Sequence, residues 1–222
     1  MIVSISGLDG AGKSTQIEML CKRLIEDGVV TKIIWARGGY TPFFESLKKI
    51  VRLIGRNKVA PPGPSLKRKE QLAKPLVQKV WLIIAIFDLF LIWGVYARFL
   101  NLLGVAVIFD RYIDDTLLDF RRNFPKSDIE NTVYWSFLRS TVPKPDSAFL
   151  LWIPVHVSEE RSRLKSEPFP DTRETLIWRL KSYRDNTIFP KAKYKLLDGR
   201  LSLKDISDEI YLSIFRNSER NN

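Results

Sequence analysis

The string Gly7-Leu8-Asp9-Gly10-Ala11-Gly12-Lys13-Ser14 constrains this chain more than any other feature. It fits the spacing G-x-x-x-x-G-K-[ST], and its setting matters as much as its letters. Ile2 to Ser6 precedes it as a β-prone run. Lys13 to Glu26 follows with Ile17, Leu20, Leu24 and Ile25 on one side of a helix. Strand, glycine turn and helix in that order open a parallel α/β fold. The glycines let the backbone wind so that consecutive N–H groups converge, and the helix N-terminus adds positive potential at the same point. Such a cradle fits phosphate oxygens. Lys13 would bridge the β- and γ-phosphates of a nucleoside triphosphate, and the Ser14 hydroxyl would be a ligand of Mg2+.

The rest of the chain continues the alternation. Further β-prone runs cover Thr31–Trp35, Val105–Phe109, Ala148–Ile153 and, weakly, Tyr194–Leu197. Helical patterns cover about Phe43–Ile54, Pro75–Leu103, Ser127–Thr141, Ser158–Lys165, Arg173–Phe189 and Leu203–Phe215. The pattern predicts one three-layer α/β domain over residues 1–222, a parallel sheet of about five strands flanked by helices. Ser127 with Glu130, and Ser202 with Asp205, fit the capping pattern S-x-x-[DE]. Gly55 to Pro75 reads as a mobile basic loop and Arg216 to Asn222 as a fraying end.

Composition removes several classes. With 45% hydrophobic residues the chain can bury a core, so global disorder is excluded. The single Cys21 cannot form an internal disulfide, and one His without a Cys/His cluster excludes a zinc site. No leader pattern opens the chain, so a cytoplasmic or membrane-face location is expected. The 36 Lys and Arg against 25 Asp and Glu give a net charge of +11, which suits anionic partners. The basic tracts Lys67–Lys69 and Arg121-Arg122 are short, so solvated charge is expected there rather than a nucleic-acid site. Val80 to Ala97 is apolar apart from Asp88 and approaches the length of a membrane span. A mid-helix carboxylate costs about 2.5–3.5 kcal/mol on insertion, so a core or subunit-interface helix is the expectation, with membrane contact the lesser alternative.

The third β-prone run ends in Phe109-Asp110-Arg111-Tyr112. In a parallel sheet the carboxyl end of a strand beside the first faces the ligand crevice. Asp110 can there reach Mg2+ or its water, and Arg111 offers a planar donor fork to a second phosphate.

Gly7 to Thr15, the Asp110-Arg111-Tyr112 triplet and Leu197-Asp198 before a final amphipathic helix together resemble thymidylate kinases, P-loop nucleoside monophosphate kinases. The resemblance implies a P-loop NTPase fold, a homodimer, ATP and Mg2+, and transfer of the γ-phosphoryl group to a nucleoside monophosphate. Under it Gly7, Leu8, Asp9, Gly10, Ala11, Gly12, Lys13, Ser14 and Thr15 hold the nucleotide, while Ser14 and Asp110 hold the metal. Asp9 bonds the acceptor's sugar hydroxyl, Arg111 its phosphate, and Tyr112 packs near the sugar. The Trp35-Ala36-Arg37-Gly38-Gly39 stretch stands where the family has a phosphate-contacting arginine, so Arg37 is a candidate for that contact. The homodimer is expected through the apolar helix near 80–100.

The same resemblance implies a lid. The phosphate loop has Gly10 and Ala11 at its variable positions, so the charge-stabilising arginine must come from Ser158 to Arg173, which holds Arg161, Arg163, Lys165 and Arg173 around Pro168 and Pro170. Arg163 and Arg173 are the preferred pair. Such an arginine contributes roughly 10³–10⁵ in rate. The arginine and glutamine with which the family reads thymine are absent: the matching region is Phe87-Asp88-Leu89-Phe90-Leu91. Asp88 either accepts hydrogen bonds from the acceptor or pairs with a basic residue across a dimer. A sugar, sugar phosphate or lipid-linked alcohol therefore stands beside a nucleoside monophosphate as acceptor. A regulatory nucleotide switch is the third reading, but Asn57-Lys58-Val59-Ala60 lacks the acid of Asn-Lys-x-Asp.

Overall fold

The structure, a computed structural model, describes residues 1–36, 38, 41, 74–165 and 170–220. The helix expected at Phe43–Ile54, most of the basic loop at Gly55–Pro75, and Arg37 lie outside the described residues. By internal contacts the chain divides into two compact units. One comprises Met1–Trp35, Phe99–Asp119 and Pro143–Asn222; the other comprises Ala36–Arg98 and Phe120–Val142.

The first unit holds the whole sheet: β1 (Ile2–Gly7), β2 (Thr31–Ile34), β3 (Ala106–Asp110), β4 (Ser147–Trp152) and β5 (Tyr194–Asp198). All pairings are parallel and the order is β2-β3-β1-β4-β5. β1 is buried along its full length, which explains a near-continuous run with no polar alternation beyond Ser4 and Ser6. Because β3 and β4 flank β1 on opposite sides, the chain reverses its direction of winding there. That puts the ends of β1 and β3 beside the crevice where α/β folds bind ligands. The register sets Ile5 opposite Asp110, and Gly7 opposite Leu151.

Helix α1 (Lys13–Glu26) follows the glycine turn, with Ile17, Leu20, Cys21 and Leu24 buried as the period of its apolar residues requires. The last helix, α8 (Leu203–Arg220), lies against it. Arg23 Nη1 pairs with Asp208 at 2.7 Å and its guanidinium stacks on Tyr211, while Gln16 Nε2 donates to the Leu203 carbonyl. The Ser202 cap is present, its Oγ accepting from the Asp205 N–H, and the helix outruns the expected end at Phe215.

In the second unit, α2 (Pro75–Leu89) passes without a break into π-helical turns at Phe90–Tyr96; α3 (Ala97–Leu102) follows, its residues from Phe99 on counted in the first unit. The sequence predicts one regular helix over Pro75–Leu103. The wider turns fall around Gly94, where an added Cβ would sit 2.8 Å from the Phe90 ring, so the absence of a side chain accommodates that ring. Among the described residues this is the one helix long and apolar enough to cross a membrane. Asp88 on α2 is fully buried and accepts a hydrogen bond from the Thr41 hydroxyl.

Four further helices differ from expectation. Helix α4 (Ile113–Asn123) was not expected, although acids fill its first turn and Arg121 and Arg122 its last, as the helix dipole favours. Ser127 does not cap a helix: its Oγ donates to the Phe124 carbonyl. A short 3₁₀ turn at Ile129–Asn131 follows, and α5 (Val133–Thr141) starts only at Thr132, whose Oγ1 accepts from the Trp135 N–H. Finally, α6 (Val155–Leu164) begins three residues before Ser158, and α7 (Arg173–Tyr183) stops well short of Phe189.

Candidate active site

The first unit brings most of the candidates together at the β1–α1 turn. Gly7 has φ +146°, and a Cβ there would lie 2.5 Å from the Leu151 carbonyl on the neighbouring strand, so only glycine fits. At Gly10, φ is +74° and a Cβ would press on α6 at the Ser158 carbonyl and the Arg161 side chain. Leu8 and Ala11 are buried beneath the turn. Helix α1 has no acid in its first turn and no side-chain cap at Gly12, which leaves its N-terminal N–H groups available to an anion. Ser14 is exposed at that end, with Thr15 beside it half-buried.

Lys13 curls back over the loop. Its Nζ donates to the Leu8 carbonyl at 2.8 Å and lies 3.7 Å from Asp9 Oδ1. Burial, reinforced by the Arg111 charge, lowers its pKa to about 8 against pulls from Asp9, Asp110 and Asp115 in the other direction. The ammonium is thus held at a cost that an incoming polyphosphate would relieve. Affinity for an anionic polyphosphate should therefore fall as pH rises through about 8, approaching tenfold per pH unit in a pH–affinity profile. The linkage to folding runs the opposite way. The folded state holds this proton less tightly than the unfolded chain, so the unliganded protein should gain stability between about pH 8 and the ordinary lysine value of 10.5. A profile flat to pH 9.5 would show that the Lys13 charge is not used.

Arg111 carries its own sign of a dedicated position. It adopts φ +68°, a left-handed conformation rare outside glycine, while its N–H donates to Ile5 O at 3.0 Å. Its side chain is almost wholly buried. Nη2 bonds Asp9 Oδ1, Nη1 donates to the Tyr183 hydroxyl at 3.2 Å, and Nη1 lies 3.6 Å from Asp115 Oδ1. Burial opposes the charge, but Tyr183, Asp115 and Asp9 outweigh it and raise the pKa well above the usual arginine value. Sequence reasoning had Asp9 and Arg111 serving one acceptor; the structure joins them directly to each other.

The resemblance implies Mg2+, and the residues present fit one. Asp110 Oδ1 is buried with no hydrogen-bond partner among the described residues, and burial raises the carboxyl pKa despite the pull of Lys13 and Arg111. That unpartnered oxygen could ligate a cation, and the exposed Ser14 hydroxyl would supply a second oxygen donor.

Other candidates sit elsewhere. Tyr112 is 1% exposed, stacked on Phe109 at 4.2 Å, with its hydroxyl donating to the Pro143 carbonyl. Its ring and hydroxyl thus pack within the first unit at the end of β3. Asp88 belongs to the second unit with Thr41. Of the lid arginines, Arg163 is exposed at the end of α6, and Arg173 pairs with Glu159 at 2.7 Å. Among the described residues neither forms an ion pair with the phosphate loop. Arg161 hydrogen-bonds to it, its Nη1 donating to the Gly10 carbonyl at 3.1 Å and the Gly199 carbonyl at 3.0 Å. Ser158 Oγ donates to the Asp9 carbonyl at 2.6 Å. The first turns of the expected lid are therefore fastened to the loop.

Four residues escaped the sequence reading: Asp115, Tyr183, Asp119 and Arg179, bonded as Tyr183 to Asp115 and Arg179 to Asp119. The acids stand four apart on α4, and Arg179 and Tyr183 stand four apart on α7. That spacing would have been the signal had α4 been expected.

No family model matches the chain. Over 80 residues, 36% of the chain, it is 40% identical to a thymidylate kinase of Prosthecochloris aestuarii, covering 34% of that protein. Over 51 residues, 23% of the chain, it is 43% identical to a thymidylate kinase of Halothermothrix orenii, covering 24% of that one. The chain thus matches a third or less of the length of these curated relatives. Among solved structures, deoxyadenosine kinase from M. mycoides with dCMP and dCDP aligns over 97% of this chain and 100% of its own, with a TM-score of 0.60 and 18% identity. That likeness shows the fold, a P-loop NTPase with a five-stranded parallel sheet. Motif and fold together give this chain the P-loop NTPase architecture, and its two matched stretches are similar to thymidylate kinases.

Proposed function

We propose that the protein is an ATP- and Mg2+-dependent phosphotransferase that moves the ATP γ-phosphoryl group to a nucleoside monophosphate, dTMP to dTDP in the simplest case. The observation that carries this reading is the pairing of the Lys13 loop with an Arg111 guanidinium held by Asp9 beside it: one group for the donor's phosphates, one for the acceptor's. The acceptor phosphate is already nucleophilic, so the work is positioning and charge neutralisation and no strong general base is needed. Lys13 would neutralise the β- and γ-phosphates, and the α1 N-terminus and loop N–H groups would bind their oxygens. Arg111, released from part of its contact with Asp9, would fork onto the acceptor phosphate. Mg2+, held by Ser14 and Asp110, would neutralise phosphate charge when bound.

Arg163 and Arg173 flank the stretch between α6 and α7, and in this reading they close over the transferring group and exclude water. The Arg163→Ala/Arg173→Ala double variant should lose about 10²-fold in kcat, with ATP affinity changed less than threefold. A kcat near wild type would remove the lid from the account. A homodimer is part of the same proposal. Leu76, Val80, Ile83 and Phe87 follow one exposed stripe of α2, apolar surface that a second copy would cover. A monomer by sedimentation, or binding to lipid vesicles through that stripe, would replace it.

A second reading keeps the donor and changes the acceptor to a sugar, sugar phosphate or lipid-linked alcohol. It is favoured by leucines and phenylalanines where thymine-reading side chains would stand, because a base edge buried against them leaves its polar atoms unpaired. A coupled assay with Mg-ATP against nucleoside monophosphates, sugars and polyprenols separates the two. Turnover of dTMP far above the others supports the first, and turnover only of an alcohol the second.

A further inference from the structure

Between α4 and α7 lies a polar seam that neither the motifs nor the resemblance assigns. Asp115 and Asp119 stand one turn apart on α4, and Tyr183 and Arg179 stand one turn apart on α7, so each helix presents two groups on one face. They meet as two rungs. Asp119 Oδ1 accepts from Arg179 Nη2 at 2.6 Å, and Asp115 Oδ1 accepts from the Tyr183 hydroxyl at 2.9 Å. Arg179 Nε also donates to Asp171 Oδ2 at 3.0 Å, just ahead of the Thr172 cap that starts α7.

The inner rung reaches the site. Besides its bond to Asp115, the Tyr183 oxygen accepts from Arg111 Nη1 and lies 3.2 Å from the Gly7 carbonyl, where β1 enters the phosphate loop. A phenol has one proton and its oxygen can accept in addition. The nearer Asp115 takes that proton, Arg111 fills the accepting side, and the Gly7 carbonyl shares the donor from the far side. Asp115 is itself fixed, accepting from Ser6 Oγ at 2.6 Å and from the Tyr112 N–H at 3.3 Å. The Tyr183 ring is wedged edge-on against Phe189 at 4.9 Å, so the hydroxyl has little freedom to move. Without that oxygen, Arg111 Nη1 would keep, among the described residues, the 3.6 Å approach to Asp115, too long for a hydrogen bond.

We propose that Tyr183 is a positioning residue: its hydroxyl sets the orientation of the Arg111 guanidinium relative to the start of the phosphate loop, and the α4–α7 seam holds it there. Arg111 occupies a left-handed backbone position, so its side chain approaches the site from a backbone that offers few alternative directions. Two anchors then fix the planar fork, Asp9 at Nη2 and Tyr183 at Nη1. When the acceptor draws Arg111 away from Asp9, Tyr183 is the anchor that remains.

The test is Tyr183→Phe, which keeps the ring and its packing on Phe189 and removes one oxygen. Two readouts are taken on the full chain. Kinetically, kcat should fall about tenfold while KM for ATP stays within twofold, and Tyr183→Phe added to Arg111→Lys should cost less than a further twofold. Spectroscopically, the Arg111 guanidinium, assigned by its loss in Arg111→Lys, should show hindered rotation in the wild type and faster rotation in Tyr183→Phe by nitrogen-15 NMR. Unchanged guanidinium signals overturn the proposal, as does a kcat within twofold of wild type or full additivity with Arg111→Lys. The kinetic arm rests on the phosphotransferase reading, whereas the NMR arm does not. If the wild type transfers phosphate to no acceptor, that reading fails while the guanidinium signals still decide the role of Tyr183.

Discussion

Replacing Lys13 with alanine is expected to lower phosphoryl transfer by about 10³-fold or more while leaving the protein at least as stable as wild type. The loss follows from geometry. Lys13 is the cation already inside the loop, with Nζ on the Leu8 carbonyl, and no second lysine stands there to take its place among the described residues. Removing a preorganised charge from a water-poor site costs about 2.7–4 kcal/mol in the transition state where one hydrogen-bond donor is lost, and a full charge acting on two phosphates lies at or above that range. Stability is the discriminating half of the prediction. A lysine whose pKa is pulled down to about 8 by burial destabilises the empty fold at neutral pH, so its removal relieves that burden. The apparent thermal midpoint at pH 7 should stay level or rise, and the stability gain between about pH 8 and 10.5 should disappear. A variant that loses activity together with several degrees of stability would instead give Lys13 a structural role.

The second large effect belongs to Arg111. Arg111→Lys keeps a positive charge but replaces a rigid fork with a point charge, and a lysine cannot serve Asp9, Tyr183 and an acceptor phosphate in one plane. Hydrogen bonds to charged groups contribute about 1.5–3 kcal/mol each, so losing two should lower kcat/KM for the acceptor by about 10²–10⁴-fold. ATP affinity should change less than threefold, because the donor's phosphates are held by the loop. Steady-state kinetics with each substrate varied in turn measures both quantities. Equal losses for ATP and acceptor would move Arg111 from the acceptor side to the donor side.

Local motifs were readable from the sequence because their physics is local. The glycine turn must follow a strand and open a helix, and Gly7 to Ser14 does both. Apolar β-prone runs placed all five strands within one or two residues. What stayed hidden depended on pairs distant in sequence. The roles of Arg161 and Ser158 as fasteners of the phosphate loop come from carbonyls about 150 residues earlier in the chain, at Gly10 and Asp9. Periodicity predicts a solvated basic helix there just as readily. Tyr183 lies at the end of α7, and nothing in its neighbourhood announces contact with Gly7, 176 residues away. Helix α4 was missed because Asp110-Arg111-Tyr112 drew the reading to the strand end, while the acids that follow belong to the first turn of a helix. At Ser127 a capping pattern was satisfied by letters alone. Thr132, whose backbone is extended at the true start of α5, takes the N–H instead.

The central claim is that the turn at Gly7–Ser14 binds the polyphosphate of a nucleoside triphosphate. Isothermal titration of the folded wild type and of Lys13→Ala with Mg-ATP tests it most directly. Binding by the wild type to a single site, weakened at least tenfold in Lys13→Ala at pH 7, is the result predicted. Absence of heat from the wild type with Mg-ATP or Mg-GTP, or equal affinity in the two proteins, would contradict it.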